Sequence, residues 1–322
     1  VPNCFGGTTS AEAWSDAAII VPWQVYLTYG DKALLERQLA SMTTFMETVL
    51  KEGYNHHFGD WLGIDAPEGS YTGSTRTELI AEAFLAYDLE LLAKAYEVLG
   101  RDGSRYRVLH EEAKNKFHAD FSDEYRTQTE HVLALYFGLA ENPVKTAKGL
   151  ADLIHESGDH LTTGFVGTPF LLHALSDNGY TELAYTLLLQ TSYPSWLFSV
   201  SLGATTMWEH WDGINETGDV WSKDMNSFNH YAYGAVGDWV YGKACGIQIP
   251  EDGAGFAKVR VAPMPDKRIG SLFASIDTRH GTVSSKWYHK DGKTRYEITV
   301  PVQAELVIDG KTHTVPAGTY LF

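Results

Sequence analysis

The chain has 322 residues, of which 44% are hydrophobic and 13% aromatic, so it can build a large core and is not a disordered segment. Its formal charge of −16 and the lack of any Lys- or Arg-rich run argue against nucleic-acid binding, which needs clustered cations for phosphate contacts. Nine Trp and eighteen Tyr residues favour a ring-stacking ligand such as a carbohydrate.

No run of about eighteen apolar residues is present, so we predict no membrane span. The chain opens with VPNCFGG, without an initiator Met or a signal peptide, and we interpret it as part of a longer protein. We expect a soluble protein whose compartment, cytoplasmic or periplasmic or secreted, stays open. Cys4 and Cys245 have neither disulfide-pair nor metal-ligand spacing, and we predict no cofactor and no metal.

Ten helices are predicted before residue 246, and glycines end several of them. The first runs from Glu12 to Tyr29, and the second follows the capping residue Asp31 and ends at Gly53. The others are expected at 74–99, 103–119, 127–140, 143–157, 164–177, 180–191, 195–203 and 229–245. Short turns and a few long loops connect them. We infer antiparallel helical hairpins that close into an α/α toroid, with the long loops at one end.

After Gly246 polar residues alternate with apolar or β-branched ones, which indicates strands. They are expected at 258–262, 272–276, 282–288, 296–300, 305–308 and 312–315. Asp291-Gly292 and Asp309-Gly310 are typical hairpin turns. The sequence therefore predicts a mainly α protein with two domains, a helical domain over residues 1–245 and a small antiparallel β-sandwich over residues 246–322.

Two clusters of acidic and aromatic residues lie in the first part of the chain. Trp14 and Asp16 stand at the predicted start of the first helix, where a helix cap beside a core tryptophan is an equally good interpretation. The loop from 54 to 73 places Asp60 beside Trp61, and a loop of this length inside a compact domain is usually functional. We expect the indole of Trp61 to stack on a sugar.

The third cluster, Thr205–Tyr231, is the richest in tryptophan. Glu209 lies close to Trp208 and Trp211, and we expect these indoles to exclude water and raise the carboxyl pKa towards a value useful for proton transfer. His230, predicted on the first turn of the last helix, is placed to bond a substrate hydroxyl. The alternative is an ordered loop whose tryptophans fill the core and whose acids face water.

Five motifs in order carry a resemblance to a known family: AWSDAAIIVPW, FGDWLGID, HLTTGFVGTPFLL, TTMWEHWDGI and SFNHYAYGAVGDW. Together they resemble the bacterial α-L-rhamnosidases of glycoside hydrolase family 78 over essentially all 322 residues. The resemblance implies an (α/α)6-type toroid, with about ten of its twelve helices in this chain, followed by a C-terminal β-sandwich. It also implies inverting hydrolysis of terminal α-L-rhamnosyl linkages in glycosides, oligosaccharides or polysaccharides.

Carried onto this sequence, the resemblance makes Glu209 the general base that activates water. It implies that Trp14 and Trp61 wall the pocket of the deoxysugar and its 6-methyl group, and that His230 holds sugar hydroxyls. The predicted substrate-binding residues are Trp14, Asp16, Trp61, Trp211 and His230.

One feature of the family is missing, because no segment resembles the DERLGW–GD pattern that carries its general acid and a sugar-binding aspartate. We expect the acid in an N-terminal part of the same protein. Two alternatives stay open: Asp60, Asp65 or Glu68 serves as the acid, or the protein is a degenerate relative that binds sugar without cleaving it.

Two other classes of helical-toroid enzyme are disfavoured. Terpene cyclases would need an Asp-rich motif, and enzymes acting on uronates would need a cluster of Lys or Arg to hold the substrate carboxylate. The sequence does not determine linkage, aglycone or oligomeric state.

Overall fold

The structure, a computed structural model, describes residues 10–322. Its first five α-helices are α1 (Ala17–Tyr29), α2 (Lys32–Glu52), α3 (Thr77–Val98), α4 (Ser104–Phe121) and α5 (Gln128–Tyr136). The next five are α6 (Pro143–Glu156), α7 (Thr168–Asp177), α8 (Thr181–Leu189), α9 (Trp196–Ser201) and α10 (Val236–Trp239). Each predicted helix corresponds to one of these elements, and none within residues 10–322 is long and apolar enough to cross a membrane.

Local signals explain where several helices begin. Asn142 accepts a hydrogen bond from the Lys145 backbone N–H at the start of α6, and Pro143 occupies the first turn, where its missing N–H costs nothing. Thr127 and Ser195 cap α5 and α9 in the same way. The helix α5 packs against α6 and α7, and α7 packs against α8, so consecutive helices form packed hairpins.

Two predicted helix starts are wrong, and both lie beside the candidate site. Residues 12–16 form a turn in which Ala13 has a φ of 68°, so α1 begins only at Ala17. Residues 164–167 also precede their helix, α7. Distant hydrogen-bond partners hold both segments out of helical geometry, as described below.

The last predicted helix, 229–245, is also corrected. It begins at Ala232 as a 3₁₀ turn, continues as α10 and ends in a single π-helical stretch, Val240–Ala244. His230 therefore lies in the loop before the helix and not on its first turn. Burial raises the pKa of the Cys245 thiol that follows to about 12, while Cys4 lies outside the described residues.

Two four-stranded sheets form the C-terminal region. One contains β1 (Ile247–Gln248), β2 (Val259–Val261), β6 (Ala304–Ile308) and β7 (Lys311–Val315) in that order. The other contains β3 (Ser271–Thr278), β4 (Gly281–Lys290), β5 (Lys293–Val300) and β8 (Gly318–Leu321).

One strand pair departs from the antiparallel pattern of the predicted sandwich, because β2 and β6 run parallel. The whole second sheet up to β5 lies between them in the chain, so no hairpin constrains their direction. The predicted turns at Asp291-Gly292 and Asp309-Gly310 are confirmed, with all four residues at positive φ. Trp287 is fully buried in the sandwich core, and its indole N–H donates to the Ala244 carbonyl at 2.8 Å.

The described chain divides into two compact units. One contains residues 10–18, 42–97 and 101–236, and the other contains 19–41, 98–100 and 237–322. The predicted domain boundary at residue 245 stays a prediction. All side chains of the candidate site described next belong to the first unit.

Candidate active site

Glu209 is held in the irregular loop that follows α9. Its backbone N–H donates to the Ser227 carbonyl at 2.8 Å, and the Ser227 N–H donates to Glu209 Oε2 at 2.9 Å. The second oxygen, Oε1, lies 3.9 Å from Nε2 of His230. The Glu209 side chain is 14% exposed, so the carboxylate is fixed on one side and accessible to a small molecule on the other.

His230 is fixed by its backbone and by a neighbouring ring. Its N–H donates to the Met207 carbonyl at 2.9 Å, and its ring centroid lies 5.1 Å from that of Phe165. Its Nδ1 accepts a hydrogen bond from the Ala232 N–H at 3.3 Å. In the neutral ring the proton therefore sits on Nε2, on the side of Glu209.

An aromatic row connects the other predicted residues to this pair. The ring centroid of Phe58 lies 5.0 Å from that of Trp14 and 6.1 Å from that of Trp61, and both indoles are half-buried. The Trp61 carbonyl accepts a hydrogen bond from the Phe165 N–H at 2.8 Å, and Phe165 in turn contacts His230. Four predicted site residues thus lie in one connected cluster: Trp14, Trp61, Glu209 and His230.

The buried carboxylate of Asp60 fixes the backbone around this cluster through hydrogen bonds. It is 1% exposed and accepts hydrogen bonds from the Thr129 hydroxyl at 2.5 Å, the Gly164 N–H at 2.8 Å and the Val166 N–H at 2.9 Å. Burial raises the pKa of Asp60 to about 6. These bonds wrap residues 164–167 around the carboxylate and place Phe165, and they leave Asp60 no free oxygen with which to serve a substrate.

Asp65 and Glu68, the other two alternatives for the general acid, are also not positioned at Glu209. Asp65 Oδ1 accepts the Ser74 N–H at 3.1 Å, and burial raises the pKa of its carboxyl. Glu68 is exposed at the tip of the same loop. Neither makes a contact with Glu209 or His230 in the described part of the chain.

A buried network holds the turn that carries Trp14. The Glu12 side chain has no exposed surface, and its carboxylate lies 3.0 Å from His57 Nδ1 and 3.4 Å from the Gly59 N–H that donates to it. At the other end of the turn, Asp16 accepts a hydrogen bond from the Tyr54 hydroxyl at 2.5 Å. The turn is therefore tied to the loop that carries Phe58 and Trp61.

Comparison with known proteins settles which family has this arrangement. Residues 1–244 match the bacterial alpha-L-rhamnosidase six-hairpin glycosidase domain, and residues 246–318 match the C-terminal domain of the same enzymes. The chain belongs to the bacterial α-L-rhamnosidase family. The predicted family and the toroid-and-sandwich fold are confirmed.

Among the family's relatives, an α-L-rhamnosidase of Formosa agariphila is 35% identical over 316 residues, which are 94% of this chain and 34% of that protein. The structure of Streptomyces avermitilis α-L-rhamnosidase complexed with L-rhamnose matches with a TM-score of 0.89, 31% identity and coverage of 99% of this chain and 33% of that one. Native α-L-rhamnosidase of Aspergillus terreus matches with a TM-score of 0.90 and 30% identity, over 98% of this chain and 39% of that one. This rhamnosidase-family chain thus spans about a third of the length of these relatives.

Asp16, predicted to bind substrate, has no exposed surface in this family member. Burial raises the pKa of its carboxyl group and also that of Asp88, which is equally buried on α3, and the charge of Asp16 raises the pKa of Asp88 further. Two carboxyl groups buried close together are stable when they share one proton, because two buried negative charges would repel each other. The substrate contact of Asp16 stays a prediction, whereas its hydrogen bond from Tyr54 fixes the turn beneath Trp14.

Trp211, the other predicted binding residue, is 4% exposed and lies in a stack of rings. Its centroid is 3.8 Å from that of Tyr233 at an interplanar angle of 17°, and Trp196 meets it edge-on at 5.2 Å. Trp208 is 6% exposed and packs edge-on against Phe228. Both indoles are thus buried among aromatic rings, and the substrate contact of Trp211 stays a prediction.

The sequence analysis missed Phe165, Tyr54 and Asp88 as parts of the candidate site. Asp88 carried a usable signal, because it stands four residues after Phe84 and three before Leu91, on the apolar face of a buried helix. Phe165 carried none, since its role depends on a turn built around a residue 105 positions earlier, Asp60. No group of three or more His, Cys, Asp or Glu side chains with metal-ligand geometry occurs within residues 10–322.

Proposed function

We propose that the complete protein hydrolyses terminal α-L-rhamnosyl linkages in glycosides, oligosaccharides or polysaccharides with inversion at the anomeric carbon. This chain supplies the general base, Glu209, and the binding walls of the sugar site. The supporting observation is the Glu209 carboxylate, with Oε2 bonded to the Ser227 N–H and Oε1 facing His230, in the same cluster as Trp14 and Trp61.

Each side chain has a role that follows from its position. Oε1 of Glu209 removes a proton from the attacking water, while the Ser227 N–H keeps the carboxylate oriented. The Nε2–H of His230 donates a hydrogen bond to a sugar hydroxyl next to that water. The half-buried faces of Trp14 and Trp61 pack on the C–H groups and the 6-methyl group of rhamnose.

Inverting hydrolysis needs a second carboxyl group, roughly 6.5–9.5 Å from the first, to protonate the leaving group. Asp60 and Asp65 are bonded to backbone N–H groups, and Glu68 is exposed on its loop. We therefore propose that the general acid lies in a part of the complete protein outside this chain, which spans about a third of its relatives. Residues 1–245 are the portion of the catalytic domain present here, and residues 246–322 are the β-sandwich domain.

The test uses the complete protein with 4-nitrophenyl α-L-rhamnoside and follows the reaction by proton NMR. Inverting hydrolysis releases β-L-rhamnose first, and aryl α-L-fucoside and β-D-glucoside serve as controls that should not react. Release of α-L-rhamnose first would contradict inversion. Binding of L-rhamnose by calorimetry without turnover of any rhamnoside would support the alternative of a carbohydrate-binding relative that does not cleave.

A further inference from the structure

A short hairpin, residues 213–221, lies in the loop that carries Glu209. It closes where the Trp221 backbone N–H donates to the Gly213 carbonyl at 3.1 Å. The side-chain amide of Asn226 donates to the same carbonyl at 2.8 Å. Because Asn226 directly precedes the residue whose N–H binds the Glu209 carboxylate, the base of the hairpin is tied to the proposed general base.

Hydrogen bonds within the hairpin connect its two arms. Ile214 pairs antiparallel with Val220, and the Asn215 N–H donates to the Asp219 carbonyl at 2.9 Å. The Asn215 side-chain oxygen accepts the Thr217 and Asp219 N–H groups at 3.0 and 2.9 Å. A segment bonded in this way moves as one unit, so a contact made by the ring at its end also restrains its base.

The Trp221 ring stacks on His210, the residue that follows Glu209. The two ring centroids lie 3.6 Å apart with an interplanar angle of 20°. His210 is 5% exposed, and burial lowers its pKa, so the ring stacks as the neutral imidazole near pH 7. The Trp221 ring, 37% exposed, thus covers the side chain next to Glu209.

Trp221 also contacts the loop that carries Trp61. Its ring centroid lies 5.9 Å from that of Tyr71, and the Tyr71 centroid lies 5.4 Å from that of Trp61. Tyr71 is itself held in that loop, because its carbonyl accepts the Leu62 N–H at 2.6 Å. One row of rings therefore connects the residue beside Glu209 with the indole assigned to the sugar wall.

The proposed site binds the sugar and places the base on different loops. Trp61 packs on the rhamnose ring, whereas Glu209 removes the proton from the water that attacks the anomeric carbon. An error of about 1 Å in the placement of a catalytic group can lower the rate about a hundredfold. The rate therefore depends on how the two loops are held relative to each other.

We propose that Trp221 is a positioning residue of the hydrolysis, which holds the Glu209 loop at a fixed distance from the Trp61 loop through its contacts with His210 and Tyr71. The proposal rests on the proposed function, because it takes Glu209 as the general base. Trp221 acts through its two ring neighbours, so its effect does not depend on the group to which rhamnose is attached.

The first test measures kcat for 4-nitrophenyl α-L-rhamnoside and the dissociation constant of L-rhamnose in the complete protein. We expect Trp221→Ala to lower kcat about ten- to a hundredfold and to change the dissociation constant by less than about twofold, since Trp61 and His230 still bind the sugar. Trp221→Phe keeps a stacking ring and should restore kcat to within about threefold of the wild type. Tyr241→Ala removes a ring of similar exposure, 43%, outside both loops and should change neither quantity.

Tyr71→Ala removes the same ring contact from the opposite loop, and it serves alone if Trp221→Ala does not fold. It should lower kcat by a similar factor. The double variant should lose little more activity than either single variant, because both substitutions remove one contact. Losses that multiply in the double variant would show that the two rings act independently, which would overturn the proposal.

A second substrate distinguishes positioning from direct contact with the substrate. With a disaccharide of L-rhamnose α-linked to D-glucose, kcat/KM of Trp221→Ala should fall by the same factor as with the aryl glycoside. A loss confined to the disaccharide would make Trp221 a substrate contact and overturn its positioning role. An unchanged kcat, or a loss that lies wholly in the L-rhamnose dissociation constant, would overturn it as well.

Crystal structures of the complete protein and its Trp221→Ala variant separate this proposal from the proposed function. We expect the Glu209 carboxylate to move by about 1 Å or more relative to Trp61 in the variant, and to stay in place in Tyr241→Ala. This displacement supports the positioning role even if the complete protein cleaves no rhamnoside, a result that contradicts the hydrolase proposal alone. A carboxylate that stays in place in Trp221→Ala would overturn the positioning role alone.

Discussion

At the scale of single residues, Trp61 combines two functions. Its indole contacts Phe58 and Tyr71, and its carbonyl accepts the hydrogen bond that positions Phe165. Trp61→Ala keeps that carbonyl and removes only the ring. We expect the variant to weaken L-rhamnose binding by about 1–3 kcal/mol, the value of a buried aromatic surface.

Calorimetric titration of L-rhamnose measures this effect, with Tyr29→Ala, an exposed aromatic at 67%, as the control. If the dissociation constant for L-rhamnose is unchanged in Trp61→Ala, the indole only fills the core and does not contact the sugar.

Asp88 predicts a pH dependence of stability. Burial, and then the charge of Asp16, raise its pKa well above the ordinary value of 3.8, so the folded state keeps a proton that the unfolded state releases. The stability that the Asp88 proton contributes is therefore fully present below about pH 3.8, and it is lost as the pH rises through the pKa of the folded state. The Asp88→Asn side chain is uncharged, like the protonated carboxyl group, so the variant should show a weaker dependence of stability on pH in this range.

Thermal unfolding between pH 4 and 8 tests the prediction about Asp88, with Asp152→Asn on the exposed face of α6 as the control. The wild-type protein and the Asp152 variant should lose stability relative to Asp88→Asn as the pH rises. Parallel curves for all three proteins would show that Asp88 does not carry the proton.

At the scale of elements, the sequence predicted what local contacts determine. The Asn142-Pro143 helix start, the Asp-Gly hairpin turns and the helices that end at Gly30, Gly53 and Gly100 are all local signals. The turns at 12–16 and 164–167 were predicted as helix because their determinants are remote. Asp60 lies 104 positions before the Gly164 N–H that it accepts, and periodicity contains no such information.

Gly164 tests the importance of the second turn. A Cβ at this position would collide with the Trp61 carbonyl, the Gly63 N–H and the Asp60 carboxylate. We expect Gly164→Ala to lower the free energy of unfolding by about 1–3 kcal/mol, as overpacking does, and to weaken L-rhamnose binding because Trp61 and Phe165 shift.

Denaturant unfolding and calorimetry measure the two effects. Gly237→Ala in α10 is the matched control, since no described atom lies within 4 Å of the place that its added methyl group would take and its φ is not positive. If Gly164→Ala behaves like Gly237→Ala in both measurements, the close packing of the turn on Trp61 is not what shapes the site.

At the scale of the whole molecule, the order of toroid and sandwich followed from a change of periodicity at residue 246, which is visible in the sequence. The parallel pairing of β2 with β6 did not follow, because it joins strands more than forty residues apart. The cluster of Trp14, Trp61, Glu209 and His230 was predicted from family motifs, and its connection through Phe58 and Phe165 is a result of the fold.

The chain spans about a third of its relatives, and this leads to a prediction about the isolated chain. If the general acid lies elsewhere in the complete protein, residues 1–322 alone should bind L-rhamnose but turn over no aryl rhamnoside, while the complete protein does both. Calorimetry and a chromogenic assay on both preparations measure this. Turnover by the isolated chain would place the acid among its own carboxylates.

The central claim is that Glu209 is the general base of one sugar site. The most direct measurement is kcat for 4-nitrophenyl α-L-rhamnoside together with the dissociation constant of L-rhamnose, in the complete protein and its Glu209→Gln variant. We predict a loss of at least about a hundredfold in kcat, as expected when a general base is removed, with near-normal L-rhamnose affinity. Substantial remaining turnover in the variant would contradict the claim.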